Sequence, residues 1–166
     1  MKIMGIDSSS KKTGIAIYNN NHLAEHFLLD YSKIRDYDRR FPQMVQDIEK
    51  QITELAPDVV YVEDTWEKNQ GFNNVATLKK LSYILGAIRH ICLIHQIPFN
   101  LIFPSEWRST IGMQTGKLNR EELKQLSKNY VDEKYGAKVN DDVADAICIA
   151  EAGNIINERI FGDFSN

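Results

Sequence analysis

Apolar residues gather in three short runs over the first thirty positions of the chain, at 2–7, 13–18 and 22–30. The runs are rich in β-branched residues and are separated by a serine triplet at 8–10 and an asparagine triplet at 19–21, which favour turns. Short apolar runs bounded by turn residues are typical of strands. This part of the sequence therefore predicts an antiparallel meander of three strands.

The pattern then changes to a helical period. Apolar residues recur every three or four positions over 37–55, and the period stops just before Pro57. The apolar run at 58–62 ends at Glu63 and is typical of a buried parallel strand, and a fifth strand is predicted at 97–103. Together these elements predict an α/β fold with a five-stranded mixed sheet, in which three antiparallel strands precede a βαβ unit.

Three more helices are predicted beyond the last strand, and they flank the sheet. The middle helix ends at Gly136, a typical left-handed helix stop. The chain has neither an internal repeat nor a linker-like stretch, so we expect a single domain over 1–166. The three helices cover 105–111, 119–135 and about 141–159, and the last is capped by Asn140 or Asp141.

The segment 74–96 has a helical period but is apolar on more than one face. A helix that is apolar on two sides usually packs on its own sheet with one face and on a partner with the other. We therefore expect a homodimer through this helix, and a fully buried central helix is the alternative. One stripe contains Val75, Leu78, Leu81, Leu85, Ile88 and Cys92, while Tyr83, Ile84, Ile91 and Ile94 lie elsewhere.

Composition restricts the classes of function. The chain shows neither a signal peptide nor a membrane-spanning stretch, so we expect a cytoplasmic protein. Cys92 and Cys148 lie in apolar helical patterns without zinc-ligand spacing, so we expect buried free thiols. The net charge of −3 is unusual for a protein that binds a polyanion, but four carboxylates holding two divalent cations would change the sum to +1. The acidic balance therefore does not exclude DNA.

Acidic residues stand where predicted strands and helices end. Asp7 closes the first apolar strand and Glu63 the fourth, while Asp141, Asp142 and Asp145 open the last helix. Ends of parallel strands meet at one edge of a sheet, and residues three apart share a helix face, so these acids can converge. Clustered carboxylates repel one another unless a cation lies between them. Oxygen ligands alone favour Mg²⁺, and two such ions suit phosphodiester hydrolysis.

Each acid taken alone also has a purely structural interpretation. Asp7 can end a strand as a turn residue, and Glu63 can be one of two adjacent solvated acids. Asp141 and Asp142 can cap the helix and complement its dipole. Asp145 resists such an interpretation, because it lies among apolar residues inside a helix, where a carboxylate needs a partner.

Three motifs occur in order along the chain: Gly5-Ile6-Asp7-Ser8-Ser9-Ser10 followed by Thr13-Gly14, then Val62-Glu63, then Asp142-Val143-Ala144-Asp145-Ala146. With these motifs the chain resembles the RuvC-type Holliday junction resolvases, the bacteriophage members in particular, over most of its length. The resemblance implies a ribonuclease H-like fold. It also implies a homodimer with two active sites, each nicking one strand of a four-way DNA junction in a bacterial cell or a phage-infected host.

The resemblance also assigns metal ligands. It implies that Asp7, Glu63, Asp142 and Asp145 bind two Mg²⁺ ions per active site, with Mn²⁺ able to substitute, and Asp141 is an alternate ligand. The chain departs from the family at two loops. Ser8 and Ser9 replace a usual Pro-Gly, and Met113 follows Gly112 where the family commonly has lysine. Lys117 or Arg120 can supply that charge near the scissile phosphate, so the sequence leaves the basic catalytic helper open between these two residues.

Basic residues and one aromatic residue are the candidate DNA contacts. The family resemblance favours Phe72 as a wedge between bases at the branch point, and the alternative is that its ring, like that of Trp66, packs on the domain. Most single surface lysines merely interact with solvent, so the basic set is a weaker prediction. The candidate phosphate contacts are Lys11, Lys12, Lys79, Lys80, Arg108, Lys117, Arg120 and Lys124.

Three other functions compete with a junction resolvase. The segments Asp7-Ser8-Ser9-Ser10 and Thr13-Gly14 also resemble the phosphate-binding hairpin of actin-like kinases and ATPases, but those proteins duplicate a fold of which 166 residues supply one copy. A catalytically silent dimeric DNA-binding module would not need the complete acid set. A ribonuclease H-like nuclease acting on RNA differs mainly in its substrate preference under magnesium.

Overall fold

The computed structural model describes residues 1–64 and 75–162 and contains a five-stranded mixed sheet. The strands are β1 (Lys2–Ser8), β2 (Lys12–Asn19), β3 (His22–Asp30), β4 (Val59–Glu63) and β5 (Phe99–Ile102). Strand β1 pairs antiparallel with β2, and β2 pairs antiparallel with β3. Strand β4 lies parallel between β1 and β5, which gives the order β3-β2-β1-β4-β5. The mixed sheet of three antiparallel strands and a βαβ unit is thus confirmed.

Five helices flank this sheet in the described part of the chain, close to the predicted positions. Two of these helices have side-chain caps at their N-termini. Asn119 and Glu122 form a capping box at the helix that begins at Arg120. At the helix that begins at Asp141, Asn140 Oδ1 accepts from the backbone N–H of Val143 at 2.9 Å. Asn140, rather than Asp141, is thus the cap of the last helix. The helices are α1 (Tyr37–Leu55), α2 (Val75–Ile94), α3 (Pro104–Thr110), α4 (Arg120–Tyr135) and α5 (Asp141–Gly162).

Alternation along the central strands divides the core into two layers. Met4, Ile6, Val60 and Val62 pack with α1 and α2 on one face of the sheet. Their strand neighbours, such as Ile3, Val59 and Tyr61, face the opposite side and pack with α3, α4 and α5. Because successive side chains of a strand point to opposite faces, this alternation also sets the direction of the residues that end each strand.

Helix α2 is apolar on two sides, but its stripes differ from the predicted ones. The core-facing residues are Ile84, Ile88, Ile91 and Cys92, whereas Val75 is 56% exposed and Tyr83 and Ile94 are each 58% exposed. The prediction was wrong to group Ile88 with Val75 and to separate it from Ile84, because a 74–96 window fits several helical stripes equally well. The exposed ends also exclude a fully buried helix.

Both cysteines are buried free thiols, as predicted, and burial raises the pKa of Cys92 to about 11. No helix of the described residues is both long enough and apolar enough to cross a membrane.

Candidate active site

A cleft of about 400 Å³ opens where β1 and β4 end, and it gathers the acidic residues that the sequence singled out. Six carboxylates line it together with three basic side chains. The lining residues include Asp7, Glu63, Asp64, Asp141, Asp142 and Asp145, and Arg108, Arg120 and Lys124.

The strand register brings Asp7 and Glu63 next to each other. Ile6 of β1 pairs with Val62 of β4 in parallel, so the two acids that follow are neighbours at the same edge of the sheet. Both side chains then point towards α5. Asp7 lies on the same face of the sheet as Ile3, and Glu63 lies on the same face as Tyr61, because every second residue of a strand shares a face.

Two glycines allow the start of α5 to rest directly on the strands. A Cβ atom on Gly14 would lie 2.0 Å from the carbonyl oxygen of Asp142, and one on Gly5 would lie 2.3 Å from that of Ala146. Only residues without a side chain permit this approach. The close packing carries Asp142 and Asp145 to the sheet edge where Asp7 lies.

Burial and mutual repulsion shape the protonation of the cluster. The pKa of Asp7 is raised well above its usual value of 3.8, first by burial and then by the charges of Glu63 and Asp145. Burial also raises the pKa of Asp142 and takes that of Asp145 to about 6, although Ser127 and Arg108 oppose the shift at Asp145. The acids therefore repel one another when no cation is bound.

Asp141 is the exception in this cluster. Lys124 Nζ donates to its carboxylate at 2.6 Å, and this hydrogen bond lowers the pKa of Asp141. Its charge is thus already balanced by a protein cation, in contrast to those of Asp7 and Asp145.

The donor set fits a hard divalent cation. Asp145 is only 8% exposed, and its Oδ1 atom is buried without a hydrogen-bond partner among the described residues. A buried carboxylate oxygen without a hydrogen-bond partner, placed among other acids, destabilises the folded protein unless a cation binds to it. Within residues 1–64 and 75–162, no three acidic, histidine or cysteine side chains already surround one point at coordination distance. Ions such as Mg²⁺ keep several waters, so a few carboxylates suffice.

Sequence reasoning missed the role of Trp107. Its indole Nε1–H donates to Oε2 of Glu63 at 2.9 Å, and its ring is completely buried. The guanidinium carbon of the next residue, Arg108, lies 4.3 Å from the centre of this ring. The pattern offered only a weak signal, a tryptophan in a short helix that follows a strand.

The structure separates the predicted basic residues into two groups. Arg108, Arg120 and Lys124 line the cleft, whereas Lys117 is exposed on the loop before α4 and does not line it. As candidates for the basic catalytic helper, Arg120 therefore lies with the acids and Lys117 does not.

The remaining predicted contacts lie outside the cleft. Lys12 is 3.9 Å from Asp30, Lys80 lies over the ring of Tyr37, and Lys11 and Lys79 are exposed. Phe72 and Trp66 lie outside the described residues.

Comparison with known proteins gives concordant results. Residues 3–152 match the family model of crossover junction endodeoxyribonuclease RuvC. The chain is 23% identical to uncharacterized protein UU157 of Ureaplasma parvum serovar 3 over 168 residues, which cover 95% of this chain and 72% of that protein.

Two solved structures share the fold. Thermus thermophilus RuvC in complex with a Holliday junction substrate superimposes with a TM-score of 0.73 at 16% identity, covering 96% of each chain. The fowlpox virus resolvase in complex with substrate Holliday junction DNA gives a TM-score of 0.60 at 19% identity, covering 95% of this chain and 98% of that one. At these identities the likeness establishes the fold, which is the expected ribonuclease H-like one.

Proposed function

The chain belongs to the RuvC family of crossover junction endodeoxyribonucleases, and from this premise we propose that it resolves Holliday junctions and related branched DNA by phosphodiester hydrolysis, with one nick per subunit. The observation that carries the proposal is the acid cluster. Six carboxylates share one cleft with three basic side chains, and Asp7 and Glu63, near the ends of β1 and β4, are neighbours at the edge of the sheet.

RuvC-type resolvases are nucleases that depend on divalent metal ions, and we propose Mg²⁺ as the natural ion here, with Mn²⁺ as a substitute. The ligands would be Asp7, Glu63, Asp142 and Asp145, which form an oxygen-only set. Bound ions supply a lowered pKa for an attacking water and charge stabilisation for the leaving oxygen. Asp141 is the alternate ligand, because its recruitment requires release from Lys124.

The chain's own cations have a separate task. Arg108, Arg120 and Lys124 stand at the cleft, where they can hold DNA phosphates beside the carboxylates. Arg108 and Arg120 are proposed for the scissile phosphate, since both line the cleft, whereas Lys117 does not. Lys11, Lys12, Lys79, Lys80 and Lys117 are proposed as more distant contacts.

We propose that α2 forms the homodimer seam. Tyr83 and Ile94 are eleven residues apart, about three helical turns, so both lie on one side of the helix. The core-facing residues Ile84 and Ile88 lie about 100° and about 140° away from Tyr83 around the helix, so they point in a different direction. Leu93, 66% exposed, extends this apolar face. Several large apolar side chains exposed on one helix favour a contact site.

A cleavage assay tests the proposed function directly. The substrates are a synthetic four-way DNA junction, a linear duplex of the same sequence and an RNA–DNA hybrid, each with Mg²⁺ and with a chelator. We expect paired nicks in the junction alone, lost with chelator. Binding without cutting would support a silent DNA-binding module, and cleavage of the hybrid would move the function to RNA.

A further inference from the structure

We propose that Trp107 is a positioning residue for Glu63: its indole N–H holds one carboxylate oxygen in place and thereby fixes the orientation of this carboxylate in the cleft, where it would bind the metal ion. This inference rests on the proposed function, in which Glu63 is a metal ligand. It concerns a residue that makes no direct contact with metal or DNA in the proposal.

The path of the chain explains how Trp107 reaches Glu63. Glu63 pairs with Ile102 at the end of the parallel β4–β5 ladder. Helix α3 begins two residues after Ile102, with Pro104 in its first turn, and turns the chain back over the strand ends. Trp107 therefore lies over the end of β4, where its Nε1 atom is 2.9 Å from Oε2 of Glu63.

The chemistry of the contact is one-directional. An indole ring has a single donor and no acceptor, and a buried one needs a polar partner. Trp107 is fully buried, and its N–H donates a hydrogen bond to the carboxylate of Glu63. A hydrogen bond to an ionised acceptor is stronger than a neutral one and restricts rotation of the carboxylate. Mutation of residues that orient metal ligands in this way typically lowers metal affinity or activity 10–100-fold.

The surroundings of Trp107 make a rigid support. Its ring belongs to the same core layer as Ile102, Val131 and Ile147. Arg108 stacks on the ring and lies near Asp145, where its charge opposes the rise in pKa that burial causes. Two consecutive residues of α3 thus act on acids from two different elements, Glu63 of β4 and Asp145 of α5.

A purely structural role for Trp107 makes different predictions. If Trp107 only packed in the core, phenylalanine would preserve most of its role, because phenylalanine keeps an aromatic ring and lacks only the N–H donor. The matched control is Tyr61→Phe, which removes a hydrogen bond from Asn157 in the same core layer and leaves the acids untouched. Both variants lose one buried polar contact, but only one of the contacts holds a proposed ligand.

The experiment compares Mg²⁺ titrations of the full chain. For Trp107→Phe we expect the Mg²⁺ concentration at half-maximal junction cleavage to rise about tenfold, with the Mg²⁺-induced rise in Tm shifted to the same extent without DNA. Tyr61→Phe is expected to keep the wild-type midpoint. An unchanged midpoint in a folded Trp107→Phe protein overturns the proposal. If the wild type shows neither cleavage nor a Tm response to Mg²⁺, the proposed function fails instead.

A second measurement needs no change at Trp107. The indole N–H proton of Trp107, assigned in a Trp66→Phe variant, is expected to resonate downfield because it is bonded to a carboxylate. In the protein with Glu63 intact, we expect Mg²⁺ to shift this resonance. In the Glu63→Gln variant, we expect the resonance to move upfield and to stop responding to Mg²⁺. A resonance that Mg²⁺ leaves unmoved, while Mg²⁺ still raises Tm, overturns the role of Trp107.

Discussion

Asp7 lies at the centre of the repulsion in the cleft. Burial and the charges of Glu63, Asp145, Asp142 and Asp141 all raise its pKa. A carboxylate in this position destabilises the folded protein when ionised, and a divalent cation reverses the balance. The energetic cost of the empty cluster and the affinity for metal therefore have the same origin.

Asp7→Asn tests this residue. Asparagine keeps the size of the side chain but removes the charge of a proposed metal ligand, so we expect Mg²⁺-dependent junction cleavage to fall below detection. Junction affinity, measured by fluorescence anisotropy, should change less than about threefold because the cleft cations remain. Asp132→Asn, at an exposed acid of α4, is the control and should cut normally. Retained cutting by Asp7→Asn would refute the assignment of this ligand.

Asp145→Asn tests the repulsion through stability. The pKa of Asp145 rises from 3.8 to about 6 on folding, so the folded state holds this proton more tightly and metal-free wild type loses stability as the pH rises through that window. The variant lacks this loss. With chelator near pH 7.5 we expect it to be more stable by about 2–3 kcal/mol, with the difference vanishing near pH 4. Urea denaturation at both pH values measures this. A larger gain near pH 4 than near pH 7.5 would contradict it.

At the scale of elements, the contact of α5 with β1 and β2 builds the site. The glycines at positions 5 and 14 leave no space between helix backbone and strand. Close-packed backbones transmit any added volume, because neither side can yield without moving the helix. The distance between Asp7 and the acids of α5 is consequently a property of this packing.

Gly14→Ala tests the packing. The new Cβ atom would overlap the carbonyl of Asp142, so the start of α5 must move, and we expect at least tenfold slower cleavage with about 1–3 kcal/mol lower stability. The control is Gly153→Ala in α5, where the new Cβ atom would contact the side chain of Tyr61 rather than the backbone. It should lose stability but keep most of its cleavage rate. Equal cleavage rates in the two variants would argue against the proposed role of Gly14.

At the scale of the whole molecule, the exposed face of α2 sets the expected assembly. Tyr83, Leu93 and Ile94 would gain from burial against a second copy, and a two-fold axis through α2 makes one surface serve both subunits. Two paired nicks in a four-way junction need two active sites in a fixed relation. The seam is therefore tied to the reaction as well as to the fold.

The double variant Tyr83→Glu with Ile94→Glu tests the seam. Both side chains are exposed in the monomer, so the fold should persist while charge repulsion separates the subunits. We expect a dimeric wild type and a monomeric variant in sedimentation velocity, with paired nicking lost. Leu118→Glu, at an exposed apolar residue outside α2, is the control and should stay dimeric. A wild type that is monomeric at micromolar concentration would contradict the prediction.

Local patterns predicted most of the elements. Strand alternation, helical period and turn residues act over a few positions, and so α1 was predicted at its observed bounds and the five strands close to theirs. The predicted stripes of α2 were wrong because a helix that is apolar on two sides does not itself reveal which side meets the sheet. That choice depends on what packs against it.

The sequence by itself determined which acids were available and that they end strands and open a helix, because spacing along the chain is a local property. Only the tertiary structure decided their partners: Lys124 on Asp141, Trp107 on Glu63, and Arg108 rather than Lys117 in the cleft. These pairs join residues from different elements. Their contacts follow from where the elements cross in space, a consequence of core packing that spacing along the chain does not contain.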